Sequence, residues 1–309
     1  MIRIVLFFIF SFSFSAFTFF GSDENLNEVC KSDVDGETRN PPLITKKECF
    51  DSKSCPLLSE MKRKHYLVLV DTTDGLSNNE IGFLKGDVLD RKTLLSLEPY
   101  TKVSVINLND KVTPSEAFPL ADRCRPRSGI AVSPFAADAP HSSQGVNFTK
   151  NEFRKWGALT QLKSLESLGA AKPANKTLLF EHINAVTTVS KFDFRENDYQ
   201  ERTLVLFSDL MQFSDRIFLR KLCKDYNTKL NCSDFEKFYK AASRKIQSYL
   251  DEIKPSFSEN SKIIIYHVIN KEVRGKPLER NLKGFWTSFF EWAGVKKENI
   301  DYRMLFDSV

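Results

Sequence analysis

Two aspartates, each placed after a buried strand, are the side chains best suited to chemistry in this chain. Asp71 follows the apolar run at residues 66–70, and Asp209 follows the run at residues 203–207 and one serine. Uninterrupted Val and Leu runs are typical of parallel strands buried on both faces, and ligands bind beyond the carboxyl ends of such strands. Both carboxylates are therefore expected at one edge of a sheet.

Two hydroxyl groups complete the predicted site. Thr73 lies two residues after Asp71, and Thr177 opens a predicted helix that would bring its hydroxyl over the sheet edge. Carboxylate and hydroxyl oxygens suit Mg²⁺ or another hard divalent cation, which takes about six ligands. The predicted metal ligands are Asp71, Thr73, Thr177 and Asp209. Each of these residues taken alone is also explained by helix capping.

The hydrophobic pattern predicts the elements that hold these residues. Further strands are expected at residues 102–108 and 262–268, which are rich in β-branched side chains. Helices are expected at residues 79–97, 150–168, 177–189, 233–253 and 282–292. Alternating strands and helices indicate an α/β fold with a doubly wound, mostly parallel sheet flanked by helices.

The sequence also makes specific predictions for the helix that begins near Ser233, for the last helix and for the segment at residues 109–147. Ser233 and Glu236 have the spacing of a capping box, and Gly294 is the expected C-cap of the last helix. The aromatic residues of that last helix are expected to pack against the sheet. Residues 109–147 contain five prolines and no clear period. This insertion is predicted to be either a functional surface excursion or an irregular edge held by Cys124.

The candidate site resembles the metal-ion-dependent adhesion site of von Willebrand factor A-type domains. In that family an Asp-x-Ser-x-Ser loop follows the first strand, a threonine comes from a later loop, and an aspartate follows the fourth strand. The segments at residues 71–75, 176–183 and 206–210 are similar to these motifs and occur in the same order. The resemblance covers residues 65–268. It implies a Rossmann-type three-layer fold and a cation that engages a partner's carboxylate.

Several positions depart from the family pattern. Gly75 stands where the family has its second serine, and Leu210 stands where it usually has glycine. Ser77 lies two residues further on and is a candidate substitute for the missing hydroxyl. Asp74 adds a carboxylate that the motif does not require.

These features predict an exported, non-catalytic module that binds an unidentified protein partner, with a divalent cation as its means of binding. A metal-free scaffold of the same fold is the alternative, because Gly75 removes one ligand. A Mg²⁺-dependent phosphohydrolase is a further alternative, since aspartates at strand ends also serve phosphoryl transfer. That chemistry favours carboxylates two residues apart, whereas Asp71 and Asp74 are three apart. The sequence contains neither a Gly-x-Ser-x-Gly elbow nor a glycine-rich phosphate loop.

The N-terminal segment predicts export. Arg3 is the only charged residue before Asp23, and residues 4–20 form a continuous uncharged run of Ile, Val, Leu, Phe, Ser, Ala and Thr. Residues 1–21 are therefore expected to be a signal peptide or an N-terminal membrane anchor. The protein is expected to be periplasmic, secreted, or membrane-anchored on the extracytoplasmic side. Residues 22–64 are predicted to be a cysteine-containing extension or linker, and residues 65–309 the α/β domain.

Cysteine usage agrees with an oxidising compartment. All six cysteines follow the leader, and their even number allows three disulfides with about fifteen pairings open. The short spacing favours Cys223 with Cys232. No Cys-x-x-Cys or Cys/His pair has the spacing of a zinc site.

The charge distribution argues against a nucleic-acid partner. The chain has 45 basic and 40 acidic residues and no dense basic tract. The resemblance implies a protein as the partner, and membrane attachment through the N-terminal segment is a further expectation.

Overall fold

The computed structural model describes most of the chain from residue 64 onward and short pieces before it. The described residues are 30, 49–57, 64–108, 119–130, 138, 145–189, 192, 194, 199–223, 232–269 and 277–305. The predicted leader at residues 1–21 and most of the predicted extension lie outside this set. Within it, no helix combines the length and hydropathy needed to span a membrane.

A six-stranded sheet forms the centre of the described domain. Its strands are β1 (Lys64–Asp71), β2 (Lys102–Leu108), β3 (Ala121–Cys124), β4 (Glu201–Ser208), β5 (Ser261–Val268) and β6 (Ile300–Leu305). They lie in the order β3-β2-β1-β4-β5-β6, and every neighbouring pair is parallel except β2 with β3. The doubly wound, mostly parallel sheet predicted from the sequence is confirmed.

Helices cover both faces of this sheet and complete the three layers. Their bounds are α1 (Asn78–Phe83), α2 (Arg91–Ser96), α3 (Val146–Gly157), α4 (Lys163–Gly169), α5 (Leu179–Thr188), α6 (Leu219–Leu222), α7 (Phe235–Ala241), α8 (Arg244–Glu252) and α9 (Pro277–Trp292). A π-helical turn (Leu84–Val88) follows α1, another (Ala158–Leu162) joins α3 to α4, and a 3₁₀ turn (Lys297–Asn299) precedes β6.

The central strands supply two hydrophobic cores, because successive side chains point to opposite faces. In β1, Leu67 and Leu69 join the core under α5–α9, whereas Val68 and Val70 join the core under α1–α4. The aromatic residues of α9 lie in the first of these cores, as expected. Trp286 is fully buried there. Gly294, with φ +101°, follows the end of that helix as predicted.

The continuous helix predicted for residues 79–97 is wrong. α1 runs into a π-helical turn, and a new helix, α2, begins at Arg91. Asp90 caps this second start, because its carboxylate accepts the N–H groups of Lys92 at 3.0 Å and Thr93 at 2.8 Å. The apolar period continues across the break, so the pattern alone does not reveal it.

The capping box predicted at Ser233 is also wrong. Asp234 caps α7 instead, and its carboxylate accepts the N–H of Lys237 at 2.9 Å. The helix predicted for residues 233–253 is divided, because α7 ends at Ala241 and α8 begins at Arg244. A stripe of apolar residues can therefore be shared by two helices that pack on the same core.

The hydrophobic pattern of the sequence does not predict the two edge strands, β3 and β6. β3 lies inside the insertion at 109–147, and β6 follows the last helix. Both are short and only partly buried, so no continuous apolar run marks them. β3 is the outer strand beside β2 and ends at Cys124, which is disulfide-bonded. In its described part at residues 119–130, the insertion therefore contains a regular edge strand whose last residue, Cys124, is disulfide-bonded.

Three disulfides link the described cysteines: Cys30–Cys49, Cys55–Cys124 and Cys223–Cys232. The predicted pairing of Cys223 with Cys232 is confirmed. Cys55–Cys124 ties the segment before the domain to β3, and the N–H of Cys124 also donates to the carbonyl of Lys53 at 3.0 Å. Three disulfides and no free cysteine in the described part indicate an oxidising compartment.

Removing the disulfide that closes the longer loop is expected to cost more stability. On the chain-entropy model, losing Cys55–Cys124 costs about 4 kcal/mol and losing Cys223–Cys232 about 2.5 kcal/mol. Urea unfolding of the paired Cys→Ala variants measures both free energies. Equal losses, or a larger loss for Cys223–Cys232, would contradict the loop-length explanation.

Candidate functional site

The candidate site lies where β1 and β4 end side by side. β1 has β2 on one side and β4 on the other, so the chain order of the strands reverses at this point. In open α/β sheets, this crevice at the carboxyl ends of the strands is where ligands bind. Val70 is paired with Phe207, which places Asp71 beside Ser208.

Asp71 is the centre of a hydrogen-bond network. Its Oδ1 accepts the backbone N–H of Thr73 at 3.0 Å and the Oγ1 hydroxyl of Thr73 at 2.7 Å. Its Oδ2 accepts the hydroxyl of Ser208 at 2.7 Å. The Oγ1 atoms of Thr73 and Thr177 lie 2.8 Å apart. Three of the predicted ligands, Asp71, Thr73 and Thr177, are therefore joined directly.

Thr177 reaches the site from a β-bridge and not from a helix. Its N–H donates to the carbonyl of Phe213, and the N–H of Phe213 donates to the carbonyl of Thr177, both at 2.8 Å. α5 begins two residues later, at Leu179, so the expectation that Thr177 opens the helix is wrong. The bridge instead fixes Thr177 to the loop that follows β4.

Asp209, the fourth predicted ligand, lines a cavity of about 410 Å³ together with Asp71 and Thr73. Its Oδ1 accepts the N–H of Met211 at 2.9 Å. The structure therefore places both strand-end carboxylates on one cavity at the predicted edge. Their role as metal ligands stays a prediction.

The backbone turns sharply just after Asp209. Leu210 has φ +64°, a left-handed conformation that costs a non-glycine residue about 1–2 kcal/mol. The N–H of Leu210 donates to the hydroxyl of Ser208 at 2.8 Å, and its carbonyl accepts the indole N–H of Trp286 at 3.1 Å. Its side chain is fully buried, which offsets the strain. These contacts explain how leucine is tolerated in a left-handed conformation that favours glycine.

Ser208 is the site residue that sequence reasoning missed. Its hydroxyl donates to Asp71 and accepts from Leu210, so it connects the ends of β1 and β4. The available signal was a hydroxyl residue between the apolar run of β4 and Asp209. Comparison with the adhesion-site motif does not identify Ser208, because that motif names only the aspartate that follows it.

The loop after Asp71 is shaped by a glycine and closed by a cap. Gly75 has φ +77°, and its N–H donates to the carbonyl of Thr72 at 2.9 Å. Ser77 caps α1, because its hydroxyl accepts the N–H of Glu80 at 3.2 Å while Glu80 reaches back to the N–H of Ser77. The serine that could replace the missing hydroxyl is therefore already used in a capping box.

The electrostatics of the cavity favour a positive charge. Burial raises the pKa of Asp71 above its ordinary value, and the nearby carboxylate of Asp74 raises it further. Hydrogen bonds from Thr73 and Ser208 lower this pKa by stabilising the charged form. No described residue forms an ion pair with Asp71.

His182, which interacts electrostatically with Asp71, does not neutralise this charge. Burial lowers the pKa of His182, and its Nδ1–H donates to the carbonyl of Leu178 at 2.6 Å. His182 is therefore neutral at physiological pH. A partly buried carboxylate without a cation is unfavourable, so Asp71 gains from a cation brought from outside.

The donor set suits a hard divalent cation. Asp71 and Asp209 offer carboxylate oxygens, and Thr73 and Thr177 offer hydroxyl oxygens. Because Thr73 donates its proton to Asp71, Thr177 donates to Thr73, and one lone pair of the Thr73 hydroxyl stays available to a cation. The described residues include no group of three or more His, Cys, Asp or Glu side chains that could hold a metal. A cation here would therefore depend on the hydroxyls and on water.

No family model matches the chain, and no curated protein matches it in sequence. Similar solved structures include proximal thread matrix protein 1 from the mussel byssus, at 10% identity and a TM-score of 0.33, over 78% of this chain and 43% of that chain. A von Willebrand factor type A structure from Catenulispora acidiphila has 6% identity and a TM-score of 0.33, over 80% of this chain and 39% of that chain. The manganese-loaded Plasmodium vivax TRAP protein has 10% identity and a TM-score of 0.28, over 72% of this chain and 63% of that chain.

This chain spans less than two thirds of each of those three structures. A von Willebrand factor A-type structure is thus among those it resembles. At these scores the likeness carries no weight for function, and the α/β fold rests on the strand order of the chain itself.

Placing serine at residue 75 is expected to destabilise the domain by about 1 kcal/mol, because the φ of +77° at this position disfavours any residue with a Cβ. Urea unfolding with and without Mg²⁺ measures the effect of Gly75→Ser. Gly82→Ser is the matched control, because Gly82 lies in α1 without a positive φ and is expected to be neutral or slightly stabilising. A Gly75→Ser protein as stable as the native chain, or more stable, would contradict this reasoning.

Proposed function

We propose that this chain is a non-catalytic protein-binding module of an exported protein, which uses a divalent cation at the β1/β4 edge to engage a carboxylate of its partner. One observation carries the proposal. A partly buried carboxylate, Asp71, is bonded to Thr73 and Ser208, and through Thr73 to Thr177, at the point where the strand order reverses. It has no ion-pair partner among the described residues.

In this proposal Asp71 and Asp209 hold the cation, with Thr73 and Thr177 as hydroxyl ligands. When bound, the cation supplies a Lewis-acidic position that an acidic side chain can occupy. The chain itself fixes the donors, because Ser208 orients one oxygen of Asp71 and the Thr177–Phe213 bridge fixes the far hydroxyl. Gly75 leaves fewer protein ligands than the family motif has, which favours water and partner oxygens in the remaining positions.

An exposed aromatic pair beside the site supports a protein as the partner. Phe213 and Phe218 are 41% and 38% exposed, and their ring centroids lie 4.6 Å apart. A β-bridge joins these two residues, and another joins Phe213 to Thr177. Exposed aromatic side chains on an ordered turn are typical anchors of protein interfaces. We call this pair the aromatic tip.

The turn that carries the aromatic tip is internally fixed. The hydroxyl of Ser214 accepts the N–H of Ile217 at 3.1 Å, and Ile217 itself is fully buried. Lys176, next to Thr177, forms an ion pair with Asp215 at 2.6 Å. Little ordering is therefore needed on binding, which lowers the entropic cost of association.

Export is supported by the three disulfides and by the predicted leader, and it includes periplasmic, secreted and membrane-anchored placement. A metal-free scaffold is the second candidate function. It is favoured by Gly75 and by the mutual hydrogen bonds of Thr73, Thr177 and Asp71, which leave those hydroxyls satisfied without an ion.

Adding Mg²⁺ or Mn²⁺ to the full chain is expected to raise its melting temperature. A cation at a hundred times its Kd stabilises the folded state by about 2.7 kcal/mol. Differential scanning calorimetry measures the shift and its reversal by EDTA, and Asp209→Ala and Asp71→Asn should each abolish it. Asp301→Ala, on the far edge strand β6, is the control that should keep the shift.

The cation proposal falls if neither ion changes the melting temperature of the native chain, and the metal-free scaffold then stands. Hydrolysis of p-nitrophenyl phosphate that Asp71→Asn abolishes would overturn the non-catalytic assignment. An equal shift in Asp209→Ala and in the native chain would place the cation elsewhere.

Replacing both phenylalanines of the aromatic tip is expected to leave stability nearly unchanged, because these side chains are not part of the core. Chemical unfolding of Phe213→Ser/Phe218→Ser should differ from the native chain by less than about 1 kcal/mol. Ile217→Ser, in the same turn but fully buried, should cost about 2–4 kcal/mol. A comparable loss in the double variant would show that the pair packs for stability and is not a docking surface.

A further inference from the structure

A second concave site lies away from the strand-end cavity. It has a volume of about 320 Å³ and is lined by residues of α2, α3 and the π-helical turn after α3. The apolar part of its wall comes from Leu94, Phe153 and Trp156, all of which are buried. It shares no lining residue with the cavity of Asp71. We call it the helix pocket.

A glycine inside a helix keeps the helix pocket open. Gly157, the last residue of α3, lines the pocket and has a helical backbone with φ −60°. A Cβ added there would meet no atom within 4 Å. Alanine would therefore fit and would favour the helix, because glycine is the weaker helix former. Gly82 and Gly86 are equally uncrowded and line neither cavity, so the glycine alone does not mark a site; at residue 157 it leaves part of the pocket wall without a side chain.

The π-helical turn that follows Gly157 shapes the other wall. π-Helical turns inserted in helices occur frequently at functional sites. Here Gln161 crosses to the neighbouring segment, and its Nε2 donates to the carbonyl of Leu89 at 2.6 Å. Leu162, the last residue of the turn, lines the pocket and is 57% exposed. The turn thus holds an apolar side chain at the pocket mouth.

Two arginines give the helix pocket a positive rim. Arg91 and Arg154 line it, and both are exposed. Neither guanidinium forms an ion pair or hydrogen bond within the described part of the chain. The acid next to Arg91, Asp90, is used by the amides that it caps, and Glu152 is paired with Lys155 at 2.8 Å.

From this geometry we infer that the helix pocket binds a small amphipathic organic anion, a monocarboxylate with an aliphatic or aromatic body. The body lies against Phe153 and Trp156, and the carboxylate lies between the arginines, whose planar guanidinium groups match carboxylates well. A volume of 320 Å³ is at the small end of ligand pockets.

Octanoate is the probe that tests this inference, with octylammonium as the cation of equal chain length. Isothermal titration calorimetry on the disulfide-bonded full chain should show octanoate binding at least tenfold more tightly than octylammonium. Arg91→Gln/Arg154→Gln should weaken octanoate binding about tenfold. The same variant should keep the Mg²⁺ shift in melting temperature, if the native chain shows one, because the two cavities share no residue.

Blocking the pocket gives an independent test. Gly157→Leu should abolish octanoate binding, because the new side chain occupies the open wall, and Gly82→Leu in α1 is the matched control that should not. Equal binding of octanoate and octylammonium, or octanoate binding that survives Gly157→Leu, would overturn the inference. Sedimentation velocity provides a further check: if Gly157→Leu dissociates an oligomer, a second copy of this chain fills the pocket and the small-anion assignment is wrong.

Discussion

The parallel pairing of β1 with β4 is the constraint on which the rest of the structure depends. Both strands are buried on both faces, so each carries an apolar run that cannot slip by one residue without exposing its side chains. The register pairs Val70 with Phe207, so the first polar residues after the two apolar runs, Asp71 and Ser208, lie side by side at the edge of the sheet. The edge at which Asp71 meets Ser208 is a consequence of burial and direction, before any specific chemistry is considered.

The site stores two unfavourable features that the surrounding core makes tolerable. One is the partly buried carboxylate of Asp71, which three hydrogen bonds stabilise but no positive side chain neutralises. The other is the left-handed backbone at Leu210, held by Ser208 on one side and Trp286 on the other. Strain and buried charge that persist next to each other are characteristic of functional sites, because a scaffold without a ligand would gain from losing both.

Structural features that depend on the burial of a single segment can be predicted from the sequence. Features that depend on which segments pack together cannot. β2 is predicted within its observed bounds at 102–108, because a buried strand is recognisable without its partners. Asp71 and Asp209 follow from the same runs. β6 is missed because an edge strand pairs on one side and has no apolar run. The break before Asp90 is missed because both helices pack on one core, and Ser208 is missed because its role exists only after β1 and β4 are paired.

Each of the two cavities is lined by a glycine, and the presence of glycine has a different explanation in each. Gly75 has a positive φ, so the turn after β1 is sufficient reason for glycine and nothing about a ligand follows from it. Gly157 has an ordinary helical backbone and no atom close to where a Cβ would lie, so conformation and crowding both fail as reasons. Gly82 and Gly86 share both properties with Gly157 and line neither cavity. The inference at the helix pocket therefore rests on its buried aromatic rings and exposed arginines, and the glycine only leaves room beside them.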